Sequence, residues 1–342
     1  PIIKMAKFNT FLFLSLCVTI SLSACQDWFG SASNDPLYQD TTQSLAVQEW
    51  SKRIHKYPEN DEYRYKRGIE LVKDKKFKLA LNDLNKAIEM SPQNADYVVS
   101  RAETYMALNE TKQALEDYKK SVEIEPTNEE ALLKLGQFYL FVRQFDNGLS
   151  VFKKLEKVNP SNTEGHFFKG MLLKEYGDTA EAITSFQRAT QLDLFHYNSL
   201  FQLGQLYADQ NDTIAITYFR NALLADEFSD EAHYAIGLIF QKMGLKDSAI
   251  MHYQKTIDIN AQHYYAYYNT GYIMLEQNNF DRAIEHFRIA VKFAPEFAKG
   301  HYMLGLSHES KGLNDKAREH YNRCLQVDPN FKKAKQALIR IQ

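Results

Sequence analysis

Small, bulky and polar positions in this chain return on a beat of 34 residues between Asp61 and Phe331. Repeating units begin at Asp61, Ala95, Glu129, Thr163, Tyr197, Asp230, Tyr264 and Ala298, giving the spans 61–94, 95–128, 129–162, 163–196, 197–229, 230–263, 264–297 and 298–331. The fifth is one residue short. Position eight is small throughout: Gly68, Ala102, Gly136, Gly170, Gly204, Gly237, Gly271 and Gly305. Position twenty is small again, from Ala80 and Ala114 to Ala283 and Ala317, with Ala215 one place early in the short unit. Position twenty-four is large: Leu84, Tyr118, Phe152, Phe186, Phe219 (also one early), Tyr253, Phe287 and Tyr321. A glycine inside a helix costs about 1 kcal/mol relative to alanine, so its recurrence implies a compensating gain. Close approach of two helix backbones, with a bulky plug filling the space beside them, supplies one. Each unit is therefore predicted to be a pair of helices.

The punctuation agrees. Position fifteen holds Asn109, Gly177, Asn211, Gly244, Asn278 and Gly312, residues that tolerate the left-handed conformation closing a helix. Lys75 and Arg143 break that rule and are expected to carry strain or to turn differently. Six of the eight prolines, Pro58, Pro92, Pro126, Pro160, Pro295 and Pro329, fall on one position of the beat, where proline stops the second helix. Leu194, Glu227 and Ala261 replace it in units four to six, whose boundaries are expected to be softer. Ala46, Trp50 and Pro58 repeat the spacing of Ala80, Leu84 and Pro92, so residues 43–60 read as a leading half-repeat helix. Residues 332–342, with Ala334, Ala337, Leu338 and Ile341 at helical spacing, read as a capping helix over the last hairpin.

Over residues 61–331 this pattern resembles the tetratricopeptide repeat. The resemblance implies an all-α fold, a right-handed superhelical solenoid of about eight helix-turn-helix repeats with a C-terminal cap. It also implies that the first helices line a concave groove that receives partner proteins. Positions two, five, nine and twelve share one face of the first helix. Position five is an apolar or aromatic ladder of Tyr65, Val99, Leu133, Phe167, Phe201, Tyr234, Tyr268 and Tyr302, thickened in the seventh unit by Tyr265 and Tyr272. These ten residues are the candidate partner-binding groove, suited to an extended peptide or an amphipathic helix. Aromatics there serve generic packing in the family as well. Acidic residues at position two (Glu62, Asp96, Glu130, Glu164, Glu231) suit helix N-termini; selection of a basic partner is the alternative. Tyr65, Ile69 and Ser100 stand where a sub-family that clamps C-terminal carboxylates has Lys and Asn, so that role is not supported.

The N-terminus reads as targeting rather than fold. Lys4 and Lys7 precede an apolar run from Phe8 to Leu22, too short to favour a spanning helix. Leu22-Ser23-Ala24-Cys25 follows directly and resembles the lipobox of bacterial lipoproteins. That resemblance implies a signal peptide over 1–24, lipid attachment at Cys25 and a tether over 25–42. It places the chain in the bacterial cell envelope, lipid-anchored, with the outer membrane as the expected site. Processing would leave Cys324 as the only thiol.

Composition narrows the chemistry. Net charge is −2 and pI about 6.6, without the basic excess that phosphate neutralisation requires, so no nucleic-acid partner is expected. The repeats occupy the chain to its end, and no Gly-rich phosphate loop, Cys-x-x-Cys, His-Glu-x-x-His or Gly-x-Ser-x-Gly interrupts them. No catalytic residue and no cofactor are expected. His252, His286 and His320 recur at position twenty-three, and His166, His233 and His301 at position four. Equivalent residues of successive hairpins lie about 8–10 Å apart, too far to share one metal ion, so no metal is expected. The expected function is an interaction scaffold or assembly factor whose partners are other envelope proteins, with the membrane reached through the N-terminal lipid. The alternatives are an accessory subunit regulating an envelope enzyme or transporter, or a binder of a glycan or small molecule.

Overall fold

The computed structural model describes residues 35–342, and among them every regular element is an α-helix. Cys25, the apolar run before it and most of the expected tether lie outside the described residues. The chain divides into two compact units at residues 160 and 161. The first contains α1 (Leu45–Lys56) and three hairpins: α2 (Asp61–Lys73) with α3 (Phe77–Met90), α4 (Ala95–Ala107) with α5 (Thr111–Ile124), and α6 (Glu129–Phe141) with α7 (Phe145–Val158). The second contains five hairpins: α8 (Thr163–Tyr176) with α9 (Thr179–Leu192), α10 (Tyr197–Asp209) with α11 (Ala215–Ala225), α12 (Asp230–Lys242) with α13 (Lys246–Ile259), α14 (Tyr264–Glu276) with α15 (Phe280–Phe293), and α16 (Ala298–Ser310) with α17 (Asn314–Val327). It ends on α18 (Lys332–Arg340). Within each unit a helix packs first on its hairpin partner, and each second helix then packs on the next first helix.

The plug meets the glycine in every hairpin that has one. A Cβ added to Gly136 would lie 2.5 Å from the Phe152 ring, and one added to Gly170, Gly204, Gly237 or Gly305 would meet Phe186, Phe219, Tyr253 or Tyr321 at 2.6–2.7 Å. At Gly68 and Gly271 the approach relaxes to 3.1 Å, against Leu84 and Phe287. Phe152, Phe186, Phe219, Tyr253, Phe287 and Tyr321 are among the largest fully buried side chains. In the short fifth unit the missing residue is absorbed where α11 begins late, after a turn in which Asp212 accepts from the Ile214 N–H at 2.9 Å. Ala215 and Phe219 are thereby kept in the core.

Position fifteen has positive φ in all eight hairpins, Lys75 (59°) and Arg143 (57°) included. Those two therefore adopt the same turn as their asparagine and glycine counterparts, at a strain on the order of 1 kcal/mol each. The boundaries without proline are not softer. α9, α11 and α13 end at Leu192, Ala225 and Ile259, two residues before the proline position, as do the helices that have the proline. An Asx turn marks each of these ends: Asp193, Asp226 and Asn260 accept from the N–H two residues on at 3.0–3.1 Å, as Asp328 does beside Pro329 at 2.9 Å. First helices start on a recurring N-cap at the last position of the preceding unit. Asn60, Asn94, Asn128, Asn162 and Ser229 each accept from the N–H three residues on at 2.8–3.3 Å.

Both ends are closed. Residues 35–42, expected as part of a free tether, pack instead on the first hairpin, because Leu37 buries itself beside Val47, Leu71 and Ala80. Arg67, only 3% exposed, holds this segment down; it donates to Asp83 (2.6 and 2.7 Å), Asp35 (2.6 Å) and Ser51 (3.0 Å). A buried guanidinium requires such partners. At the other end α18 lays Ala334, Ala337 and Ile341 on Ala317, Tyr321 and Cys324. Arg340 grips Glu309 through two hydrogen bonds of 2.6 and 2.8 Å.

Gly136→Ala should destabilise the first unit by about 1–2 kcal/mol, since overpacking a core outweighs the helix propensity gained. Gly68→Ala, facing a branched aliphatic at 3.1 Å rather than a ring at 2.5 Å, should change stability by less than about 0.5 kcal/mol. Urea unfolding followed by Trp50 fluorescence separates the two.

Candidate docking face

Position five of each first helix lies one turn from the glycine, so its side chain lies beside the same plug. In the second unit the ladder rings lean on the plug of their own hairpin: Phe167 on Phe186, Phe201 on Phe219, Tyr234 on Tyr253, Tyr268 on Phe287 and Tyr302 on Tyr321, at centroid distances of 5.3–5.9 Å. Most also touch the N-cap residue of the next helix. Phe167 meets His196 (5.3 Å), Tyr234 His263 (4.6 Å), Tyr268 Phe297 (5.1 Å) and Tyr302 Phe331 (5.2 Å). In the first unit Tyr65 stacks on Tyr97 at 4.5 Å and its hydroxyl reaches Ser100 at 3.2 Å; Val99 is buried and Leu133 half-buried. Ladder residues thus join one hairpin to the next, and none of the eight is exposed. Each such aromatic pair contributes about 0.5–1.5 kcal/mol beyond its buried area.

What the first helices leave open sits at positions two, nine and thirteen. Tyr265 (43% exposed) and Tyr272 (36%) belong to the candidate set; Leu238 (42%) and Phe141 (66%) were not singled out by the sequence. Their only sequence signal was an apolar residue at a position that packing does not use. Tyr265 lies at the edge of a cluster in which its ring meets Tyr264 at 4.2 Å, Phe297 at 5.4 Å and Tyr234 at 6.5 Å. The structural glycines and Ala102 are all buried beneath this surface.

A cleft of about 630 Å³ opens on this face in the second unit, between α10 and α12. Phe201, Phe219 and Tyr234 line it together with Ala208, Ala235 and Leu238. Glu231 and Asp209 bring carboxylates to it, and Lys242 its one ammonium, which hydrogen-bonds Asn211. Elsewhere the position-two carboxylates have work within the fold: Glu62 pairs with Lys66 at 2.6 Å, Asp96 accepts from Asn128 at 3.0 Å, and Glu164 meets His196 at 3.2 Å.

The buried phenols, imidazoles and thiol are held neutral rather than activated. Burial raises the phenols of Tyr234, Tyr268 and Tyr302, and a hydrogen bond that Tyr264 donates to its neighbour Tyr265 pushes Tyr264 up to about 12. Burial likewise pushes the Cys324 thiol up to about 11, which leaves it a poor nucleophile at neutral pH. His233 and His252 share a hydrogen bond between their Nδ1 atoms at 3.2 Å inside the sixth hairpin, against the Phe240 ring. Burial is the first cause depressing both, with the Lys255 ammonium adding to it at each and Arg220 at His252, which falls to about 4. His286, His301, His308 and His320 are depressed by burial too. His308 and His320 stack at 5.4 Å, yet among the described residues no group of three donors is placed to hold a metal ion.

A sequence profile of the tetratricopeptide repeat matches residues 133–193, 234–296 and 268–330, and a second TPR-repeat profile matches 102–140. Protein bimA of Emericella nidulans is 33% identical over 84 residues, which is 24% of this chain and 10% of bimA. The chain thus spans about a tenth of the curated relative it matches. Among solved structures, the C-terminal part of a TPR repeat-containing protein from Cytophaga hutchinsonii aligns over 72% of this chain and 99% of its own, at 18% identity and a TM-score of 0.59. A tetratricopeptide repeat protein from Parabacteroides merdae aligns over 72% and 98%, at 16% identity and a TM-score of 0.51. At those identities the likeness concerns fold alone.

The buried histidines set an acid limit. Their folded pKa values lie below the ordinary 6.5, so the unfolded chain takes up protons first as pH falls. The part of the stability that depends on keeping them neutral is complete above about 6.5 and, for His252, is lost progressively down to about 4. The double substitution His233→Phe/His252→Leu removes both partners of one hydrogen bond and should shrink the fall in melting temperature between pH 7.5 and pH 5, read by circular dichroism.

Proposed function

Because this chain is an array of tetratricopeptide repeats, we propose that it is a scaffold that docks partner proteins on the exposed faces of its first helices. Repeats of this family mediate protein–protein interaction. The observation that carries the reading is the set of apolar side chains left in solvent on that face. Tyr265, Tyr272, Leu238 and Phe141 are exposed although the glycine, plug and ladder positions already close every hairpin. Partly exposed aromatics of this kind are frequent hot spots of protein interfaces.

The scaffold is further proposed to be held at a membrane of the bacterial cell envelope through lipid on Cys25, with envelope proteins as its partners. Support comes from Lys4 and Lys7, the apolar run Phe8–Leu22 and Leu22-Ser23-Ala24-Cys25. Among the described residues no helix is long and apolar enough to cross a membrane. A single acyl chain binds membranes only marginally, whereas two anchor stably, so a diacylglyceryl cysteine would suffice.

Two outcomes are expected. Proteins co-purifying with the chain from detergent-solubilised envelopes, identified by mass spectrometry, should be lost from Leu238→Ser/Tyr265→Ser while its melting temperature is unchanged. An identical co-purifying set in that variant would refute docking on this face. Separately, Cys25→Ser should abolish incorporation of radiolabelled palmitate; undiminished labelling would remove the anchor.

A further inference from the structure

Two small residues widen the cleft between α10 and α12. Ala208 stands at position twelve of its hairpin, where the other seven have Val72, Met106, Leu140, Lys174, Gln241, Leu275 and Glu309. Ala235 stands at position six, which holds larger side chains in every other hairpin except the second, where it is Ser100. Both line the same cavity, which is larger than its counterpart of about 390 Å³ beside Met106 and Lys134 in the first unit. Its floor is apolar: the Phe219 plug is fully buried, and Phe201 and Tyr234 lean on their plugs. Leu238 forms a wall and remains 42% exposed. About 630 Å³ falls within the range of sites that enclose a ligand; it would hold more than one side chain.

The charges around the cleft have one sign to spare. Lys242, which hydrogen-bonds Asn211, keeps its positive charge but is outnumbered by the carboxylates of Asp209 and Glu231, which make no ion pair among the described residues. Glu231 lies three residues, hence about one turn, before Tyr234 on the same helix. The Tyr234 ring is in turn 4.6 Å from His263 and 6.5 Å from the exposed Tyr265. An anionic group beside aromatic faces suits a planar cation, which can pair with the carboxylate and lie over a ring.

Resting on the docking face assigned above, we propose that this cleft receives a linear segment of a partner protein that offers an apolar side chain to Ala208, Ala235 and Leu238 and an arginine to Glu231 and Tyr234. The apolar contact supplies affinity, and the carboxylates Asp209 and Glu231 select the cationic neighbour by excluding acidic sequences.

Fluorescence anisotropy of the full chain with three labelled nonapeptides tests this. The peptides share a Gly/Ser backbone and carry, at alternating central positions, Leu with Arg, Leu with Glu, or Ser with Arg. The Leu/Arg peptide should bind about tenfold more tightly than either other, and more weakly as salt rises. Asp209→Asn/Glu231→Gln should reduce its preference over Leu/Glu to about twofold or less, and Leu238→Ser should weaken both Leu-bearing peptides. Equal binding of Leu/Arg and Leu/Glu, both weakened by Leu238→Ser, would overturn the charge selection and leave the docking face standing. Binding indifferent to Leu238→Ser but lost in Phe141→Ser would overturn this cleft and place docking on the first unit. Binding of none of the peptides, or displacement of the Leu/Arg peptide by chitotetraose, would overturn the proposal as well.

Discussion

The close approach of two helix backbones within each hairpin is the constraint on which the rest of the molecule depends. A missing or minimal Cβ at position eight lets a bulky side chain from the second helix press against the first helix, as Phe152 does on Gly136. The loss of helix propensity at each glycine is about 1 kcal/mol, and burial of a whole aromatic ring, about 1.5–3 kcal/mol, offsets it. At Leu84 and at Phe287 the same geometry relaxes by about half an ångström.

That plug then organises what lies above it. Ladder rings at position five rest on the plug of their own hairpin and reach the N-cap residue that starts the next, so one aromatic joins three elements. Side chains committed to that joint are at most half-exposed, so they can offer a partner only part of a ring. A docking face must therefore be built from neighbouring positions, and Leu238, Tyr265 and Tyr272 show how: they project beside the joint without taking part in closing their own hairpins. The fold thereby separates the residues that hold hairpins together from those that meet solvent, and a partner could be changed by substitution without disturbing the stack.

The two units solve the polar part of their cores differently at the same pair of positions. In the first two hairpins positions seven and twenty-three form ion pairs, Arg67 with Asp83 and Arg101 with Asp117, at 2.6 and 2.7 Å. In the last three hairpins position twenty-three is His252, His286 or His320, kept neutral by burial. A buried neutral imidazole is a group whose charge state changes within the mild acid range. The polar groups of the core thus differ along a chain whose backbone is nearly periodic.

From the order of residues alone came the all-helical fold, the number of hairpins, the facing of small residue and plug, and the left-handed turn at position fifteen, because each is a contact within 34 residues that recurs eight times. Even there, the sharp helix ends at Leu192, Ala225 and Ile259 escaped notice, since an Asx turn marks each of them where the proline is missing. The packing of Leu37 and Asp35 onto the first hairpin was also hidden, because it is a single contact with no repeat to announce it. Periodicity named a face of the first helix as the candidate site, but exposure on that face depends on what the following hairpin lays over it. Only the tertiary structure decided that Tyr234 and Tyr268 are half-buried, the first in the wall of a cleft, while Leu238 and Tyr265 are open. It alone brought Ala208 and Ala235, 27 residues apart, to the walls of one cleft. A repeat pattern records what successive hairpins have in common, and this cleft widens where two neighbours differ from the rest.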